Sequence, residues 1–211
     1  MDFPAYLDRW SAAHGGYDPA ASVWSRSWLR AVYALAAPLA RAGVRPHAVT
    51  VAGVVACGLA PVAAWAGLVP LAAVAVAASG LLDSLDGAVA VLRDRVTAFG
   101  YVLDSVADRV GEALYLWALW LLGAPGWVCV VAGALAWLLE YVRARAVGAG
   151  LDDIVVVTVW ERATRIAVTA AGLLVTAVLP VAATVTAGVW VLLGLVGSGQ
   201  LLGGVRRRLP G

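Results

Sequence analysis

LLDSLDGAVAVLRDRVTAFGYVLDSVADRV, residues 81–110, decides how this chain is read. It places Asp83, Asp86, Asp104 and Asp108 inside a sequence that is 63% hydrophobic, with a mean hydropathy of +0.88. A lone carboxylate in hydrocarbon costs several kcal/mol or takes up a proton. Four of them need a shared partner. In a helix, Asp83 and Asp86 at i, i+3 share one face, and Asp104 and Asp108 at i, i+4 share another. Gly87 and Ala90 continue the first face, and Gly100 lies one turn before Asp104 on the second. The Arg93-Asp94-Arg95 turn then makes the two segments an antiparallel hairpin, with two carboxylate pairs facing each other beside small residues. All-oxygen ligands suit Mg²⁺, Mn²⁺ or Ca²⁺ rather than Zn²⁺, and two such ions form the usual clamp for phosphoryl transfer.

Working outward, apolar runs of about 20 residues indicate a polytopic helical membrane protein. Six segments are predicted to span: 47–67, 69–92, 96–122, 125–147, 162–180 and 182–204. They are separated by Gly, Pro and charged residues at 67–70, 93–95, 123–126, 150–153 and 179–180. Residues 25–43 carry Arg26, Arg30 and Arg41 among Trp28, Leu29, Tyr33 and Leu35. They read as an amphipathic helix at the interface, broken near Pro38. Residues 1–24, including His14, read as an irregular cytoplasmic leader without a cleavable signal. The fold class is therefore all-α, six transmembrane helices with an N-terminal interfacial helix. The chain forms a single membrane domain over 1–211: leader and juxtamembrane helix 1–45, bundle 46–204, tail 205–211.

All 15 basic residues are arginine. Apart from Arg109, which lies inside a span beside Asp108, they cluster before the first span, between spans 2 and 3, around the loop between spans 4 and 5, and after span 6. These are alternate ends, so one side of the bundle carries them, and the positive-inside rule makes that side cytoplasmic, with both termini and the acid pairs there. Cys57 and Cys129 sit in separate apolar runs and read as small core residues. The ten tryptophans suit interfacial belts (Trp10, Trp24, Trp28, Trp127) or packing and lipid contact, with no stacking platform for nucleic acid.

The hairpin resembles the signature of the CDP-alcohol phosphotransferase (CDP-alcohol phosphatidyltransferase) family, D-x2-D-G-x2-A-R-x8-G-x3-D-x3-D. Seven of its eight positions match here, with the spacing intact: Asp83, Asp86, Gly87, Ala90, Gly100, Asp104 and Asp108, with Val91 in place of Arg. The resemblance implies an integral membrane transferase, in a bacterial plasma membrane. It would move a phosphatidyl group from a CDP-linked lipid such as CDP-diacylglycerol to an alcohol acceptor, releasing CMP. It implies Asp83, Asp86, Asp104 and Asp108 as ligands to two Mg²⁺ or Mn²⁺ ions, Asp108 as general base, and a homodimer in the membrane lipid. Gly87, Ala90 and Gly100 would shape the donor site. Arg93, three residues after Ala90, would substitute for the missing Arg. Arg45 to Thr50 resembles the family's P-N-x-x-T, which adds Thr50 to the donor site; His47 stands where Asn is common and reads as an interface residue.

The segments around 140–146 and 161–165 resemble the S-Y-x-K-A-R-A-E and E-R-P-E-R stretches of the phosphatidylinositol-phosphate synthase branch. By that resemblance Arg143, Arg162 and Arg165 would bind the phosphate of an acceptor such as inositol phosphate or glycerol phosphate. Glu140 replaces Ser, and an acid there favours a neutral or amino-alcohol acceptor instead. The readings kept beside this one are a weakly active or inert family member, a prenyltransferase-like metal enzyme, and an ion-coupled transporter, since intramembrane acids mark ion paths. A transporter is expected to carry an internal repeat, and none is visible.

Overall fold

A computed structural model describes residues 1–13, 18, 22–151 and 156–208. His14, residues 152–155 and residues 209–211 lie outside it, as does the side chain of Trp24. All of its regular structure is helical: α1 Phe3–Ala13, α2 Val23–Arg41, α3 Pro46–Trp65, α4 Val69–Leu92, α5 Ala98–Leu121, α6 Gly126–Gly148, α7 Arg162–Thr176 and α8 Ala182–Arg208.

Two expectations about the N-terminal part are corrected. Residues 3–13 are not irregular but form α1. Its Tyr6 is fully buried, packing within a tilted cluster with Phe3 and Tyr33, and the Tyr33 hydroxyl donates to the Met1 carbonyl at 2.9 Å. Apolar ring burial thus holds a segment whose composition alone looked like a leader. Nor does α2 break at Pro38: the helix runs through it to Arg41. Its stop lies at Gly43, which takes φ +80°, letting Val44 N–H reach the Leu39 carbonyl at 3.0 Å and Gly43 N–H the Ala40 carbonyl at 3.2 Å. The start of α2 is set by Ser22, whose hydroxyl accepts from Ser25 N–H. Its amphipathic face is as expected: Leu29, Val32 and Ala36 are buried, and Arg26, Arg30 and Arg41 are exposed.

Among the described residues, four helices are long and apolar enough to cross a membrane: α3, α4, α6 and α8. The other two expected spans differ for separate reasons. α5 has 24 residues but carries Asp104, Asp108, Arg109 and Glu112. α7 stops at Thr176 after 15 residues, about 22 Å at the α-helical rise, against a hydrocarbon core of about 30 Å. The outward residues of α3, among them Val51, Val55, Leu59, Val62 and Trp65, are exposed apolar side chains. An apolar exterior of this kind suits lipid, and the molecule is an integral membrane protein.

The chain forms two compact units, 1–55 with 78–108, and 56–77 with 109–211. The first packs around Tyr6, Leu29, Val32, Val49, Leu85 and Val89. The second has an alanine-rich core with Trp160 set edge-on to Trp190 at 5.1 Å, the indole N–H of Trp190 donating to Thr169 Oγ1 at 3.0 Å. Small residues permit the close helix approach within it: a Cβ on Gly197 would lie 2.9 Å from the Cβ of Trp160. Cys57 and Cys129 are free and buried, as expected of small core residues.

Candidate functional site

The first unit holds the acids. α4 supplies Asp83 and Asp86, and α5 supplies Asp104 and Asp108. One carboxylate oxygen from each of Asp83, Asp104 and Asp108 lies within 4.8 Å of the other two. At that separation each pair of charges repels by roughly 3 kcal/mol at an effective dielectric of about 20. A divalent cation removes the repulsion, and three half-buried carboxylates are a hard-oxygen donor set that fits Mg²⁺ or Mn²⁺. Asp86 is anchored differently. It is 7% exposed, and its Oδ2 accepts a 2.6 Å hydrogen bond from the hydroxyl of Thr50 in the first turn of α3.

Beside the acids lies a groove of about 180 Å³. Thr50, Asp86, Gly87, Ala90, Gly100 and Asp104 line it, so four of the small and polar positions picked from the sequence meet on one surface with two of the acids. A Cβ at Gly87 would meet nothing within 4 Å, so any larger side chain there occupies groove space. At Gly100 a Cβ would come within 3.1 Å of Thr97 Oγ1. Thr97 caps the start of α5, its hydroxyl accepting from Gly100 N–H at 3.0 Å.

Arg93 is not in the groove. Its Nη1 donates to the carbonyls of Gly43 (2.6 Å) and Val44 (2.7 Å), bracing the turn between α2 and α3. The groove is instead lined by Arg95 and His47, neither of which was picked as a site residue. His47 sits edge-on to Phe99 at 5.7 Å. The turn geometry explains the exchange of arginines. α4 ends with Asp94 at φ +54°, so that Asp94 N–H reaches the Val91 carbonyl at 3.3 Å and Arg95 N–H the Ala90 carbonyl at 2.8 Å. This closure folds the chain back over the helix end. An aspartate in the glycine position gives little sequence warning of it.

In the second unit, Arg143 and Arg165 belong to a network of ion pairs. Arg165 is fully buried on α7. Its Nε donates to the Trp160 carbonyl at 3.0 Å, its Nη2 to Glu140 at 2.9 Å, and its Nη1 to the buried Glu112. Arg109 also donates to Glu112, at 3.0 Å, and lies 3.6 Å from Glu140. Arg143 donates to both oxygens of Glu161, at 2.9 and 3.2 Å, and its Nε lies 3.5 Å from Glu140. Three guanidinium groups are matched by three carboxylates. Glu112 and Glu161 were missed as site-region residues; only their folded neighbours reveal that they neutralise Arg165 and Arg143. Arg162, the first residue of α7, is half-buried.

Residues 44–196 match the family model for CDP-alcohol phosphatidyltransferase. The archaetidylinositol phosphate synthase of Methanothermobacter thermautotrophicus is 42% identical over 100 residues, 46% of this chain and 49% of that one. The phosphatidylinositol phosphate synthase of Mycobacteroides abscessus is 33% identical over 134 residues, 56% of this chain and 57% of that one. The chain thus spans about half the length of the curated relatives it matches. Among solved structures, the phosphatidylinositol phosphate synthase of Mycobacterium tuberculosis with CDP-DAG bound superposes with a TM-score of 0.72 at 26% identity, covering 83% of this chain and 94% of that one. The same enzyme in complex with manganese and citrate gives a TM-score of 0.72 at 25% identity, covering 83% and 88%. With the family model covering the acid-bearing hairpin and most of the helices, the chain belongs to the CDP-alcohol phosphatidyltransferase family.

Proposed function

We propose that the chain transfers a phosphatidyl group from a CDP-linked lipid to an alcohol acceptor and releases CMP. The convergence of Asp83, Asp104 and Asp108 beside a groove floored by Gly87 carries this reading. Two bound Mg²⁺ or Mn²⁺ ions, held by these acids together with Asp86, would neutralise the diphosphate and the charge that develops on transfer. Thr50, Gly87, Ala90 and Gly100 then seat the donor, Thr50 by fixing Asp86 and the small residues by leaving room. Asp108 takes the proton of the acceptor hydroxyl. The acceptor oxygen forms a bond to the lipid-side phosphorus, the bond from that phosphorus to the bridging oxygen breaks, and CMP carries that oxygen away.

In this reading the chain is one catalytic domain of six spans, α5 and α7 crossing with α3, α4, α6 and α8. The arginine distribution favours a cytoplasmic side for both termini and the site, and the family resemblance favours a plasma membrane. The pairing of two chains is a family expectation.

The acceptor has two readings. The relatives' names favour a phosphorylated polyol bound by Arg143, Arg162 and Arg165. The match of Glu112, Glu140 and Glu161 to Arg109, Arg143 and Arg165 favours an uncharged or amino alcohol, because guanidinium groups committed to carboxylates offer a phosphate little. The test is purified protein with CDP-diacylglycerol, Mg²⁺ or Mn²⁺, and inositol phosphate, glycerol phosphate, inositol, serine or ethanolamine, reading CMP and lipid product. Metal-dependent CMP release with any acceptor supports the transfer reading, and none with all of them refutes it. The accepted alcohol decides between the two acceptor readings.

A further inference from the structure

Arg95 is the one Arg or Lys lining the groove beside the acids, among the described residues. This inference rests on the donor reading above. The oxygens of a nucleotide diphosphate are acceptors, and so are the groove's own carboxylates, Asp86 and Asp104. The groove needs donors, and the Thr50 hydroxyl already donates to Asp86, while Thr97 Oγ1, which accepts from Gly100 N–H, has a single neutral O–H to offer. Val91, which stands where the family signature has Arg, is a buried apolar side chain and donates nothing. Arg93 is spent on two backbone carbonyls.

Arg95 differs on each count. Its side chain is exposed and forms no hydrogen bond or ion pair with any described residue. Its backbone is fixed, since its N–H is bonded to the carbonyl of Ala90, itself a groove residue. The guanidinium therefore starts from a defined point at the groove edge with five N–H donors in a planar fork that suits phosphate oxygens. We propose that Arg95 is the donor-binding cation of this chain, gripping phosphate oxygens of the nucleotide diphosphate from the α4–α5 turn in place of the arginine missing at Val91.

The test is equilibrium binding of CDP-diacylglycerol in detergent micelles with Mg²⁺ to wild type, Arg95→Ala and Arg95→Lys, with the thermal midpoint of each and the KM values for donor and acceptor. Arg95→Ala should raise the donor Kd about 10- to 100-fold, the range expected for lost charge-assisted hydrogen bonds. The donor KM should follow and the acceptor KM stay unchanged. Arg95→Lys keeps the charge without the fork and should fall between the other two. Arg95→Ala binding the donor within about twofold of wild type, less than half a kcal/mol, overturns the assignment while leaving the donor reading intact. A wild-type chain that binds no CDP-diacylglycerol overturns both.

Discussion

The hydroxyl of Thr50 donates to Oδ2 of Asp86 across 2.6 Å, joining α3 to α4 inside the groove, with both residues buried. A buried carboxylate held this way keeps one oxygen committed to protein and presents the other in a fixed direction. The same acid lies outside the group of Asp83, Asp104 and Asp108, whose oxygens gather on one another.

Removing that donor should therefore act on geometry before stability. Thr50→Val keeps the shape and deletes the hydrogen bond, leaving Asp86 without its partner, a loss of about 1–3 kcal/mol for a buried charged acceptor. CMP release should drop by roughly 10- to 100-fold at saturating acceptor. Thr50→Ser should recover most of it. Equal rates for Val and wild type would detach Thr50 from the site.

Asp108→Asn tests the base. The amide cannot take a proton from an alcohol, and general-base loss lowers turnover by about 10²- to 10⁴-fold. Chelation by EDTA should abolish turnover of the wild type, and added Mn²⁺ or Mg²⁺ should restore it. An Asn variant at full rate removes Asp108 from proton transfer.

The arginine–glutamate network makes a stability prediction. Glu112 is 1% exposed and accepts from both Arg109 and Arg165. Glu112→Ala leaves the fully buried Arg165 guanidinium with Glu140 as its remaining carboxylate, and breaking a buried pair from one side costs up to about 3–5 kcal/mol. The thermal midpoint in detergent should fall sharply. A double replacement of Glu112 and Arg165 by apolar residues should fall less than the single change.

Asp94 should show the opposite sign. A non-glycine residue in the left-handed region carries about 1 kcal/mol of strain, and the Asp94–Arg9 ion pair at 3.3 Å joins two exposed side chains and returns little. Asp94→Gly should raise the thermal midpoint by a few degrees, whereas Asp94→Ala should not.

The acids were legible because their spacing is a property of the chain: i, i+3 on one segment and i, i+4 on the next bring Asp83, Asp104 and Asp108 together once the two helices pair. Gly87, Ala90 and Gly100 followed the same logic, whereas Thr50 was reached only through its resemblance to the family's P-N-x-x-T stretch. Arg93 and Arg95 could not be told apart, because helical periodicity was extended past Leu92 into a turn where Asp94 reverses the backbone. The extent of α1 was hidden because the burial of Tyr6 depends on Tyr33 of α2 as well as on the nearby Phe3, and no local pattern links Tyr6 to Tyr33. The three-fold matching of Arg109, Arg143 and Arg165 depends on Glu112, Glu140 and Glu161 from three separated stretches, which no local pattern links.

The turn between α4 and α5 has one further bearing. On one side Arg95 N–H closes on Ala90; on the other, Thr97 Oγ1 closes on Gly100 N–H. Both ends of the joint are fastened by bonds made within a few residues, so the register of the two acid-bearing helices is written locally. What surrounds the hairpin can then vary while the four acids travel together as a transplantable cassette.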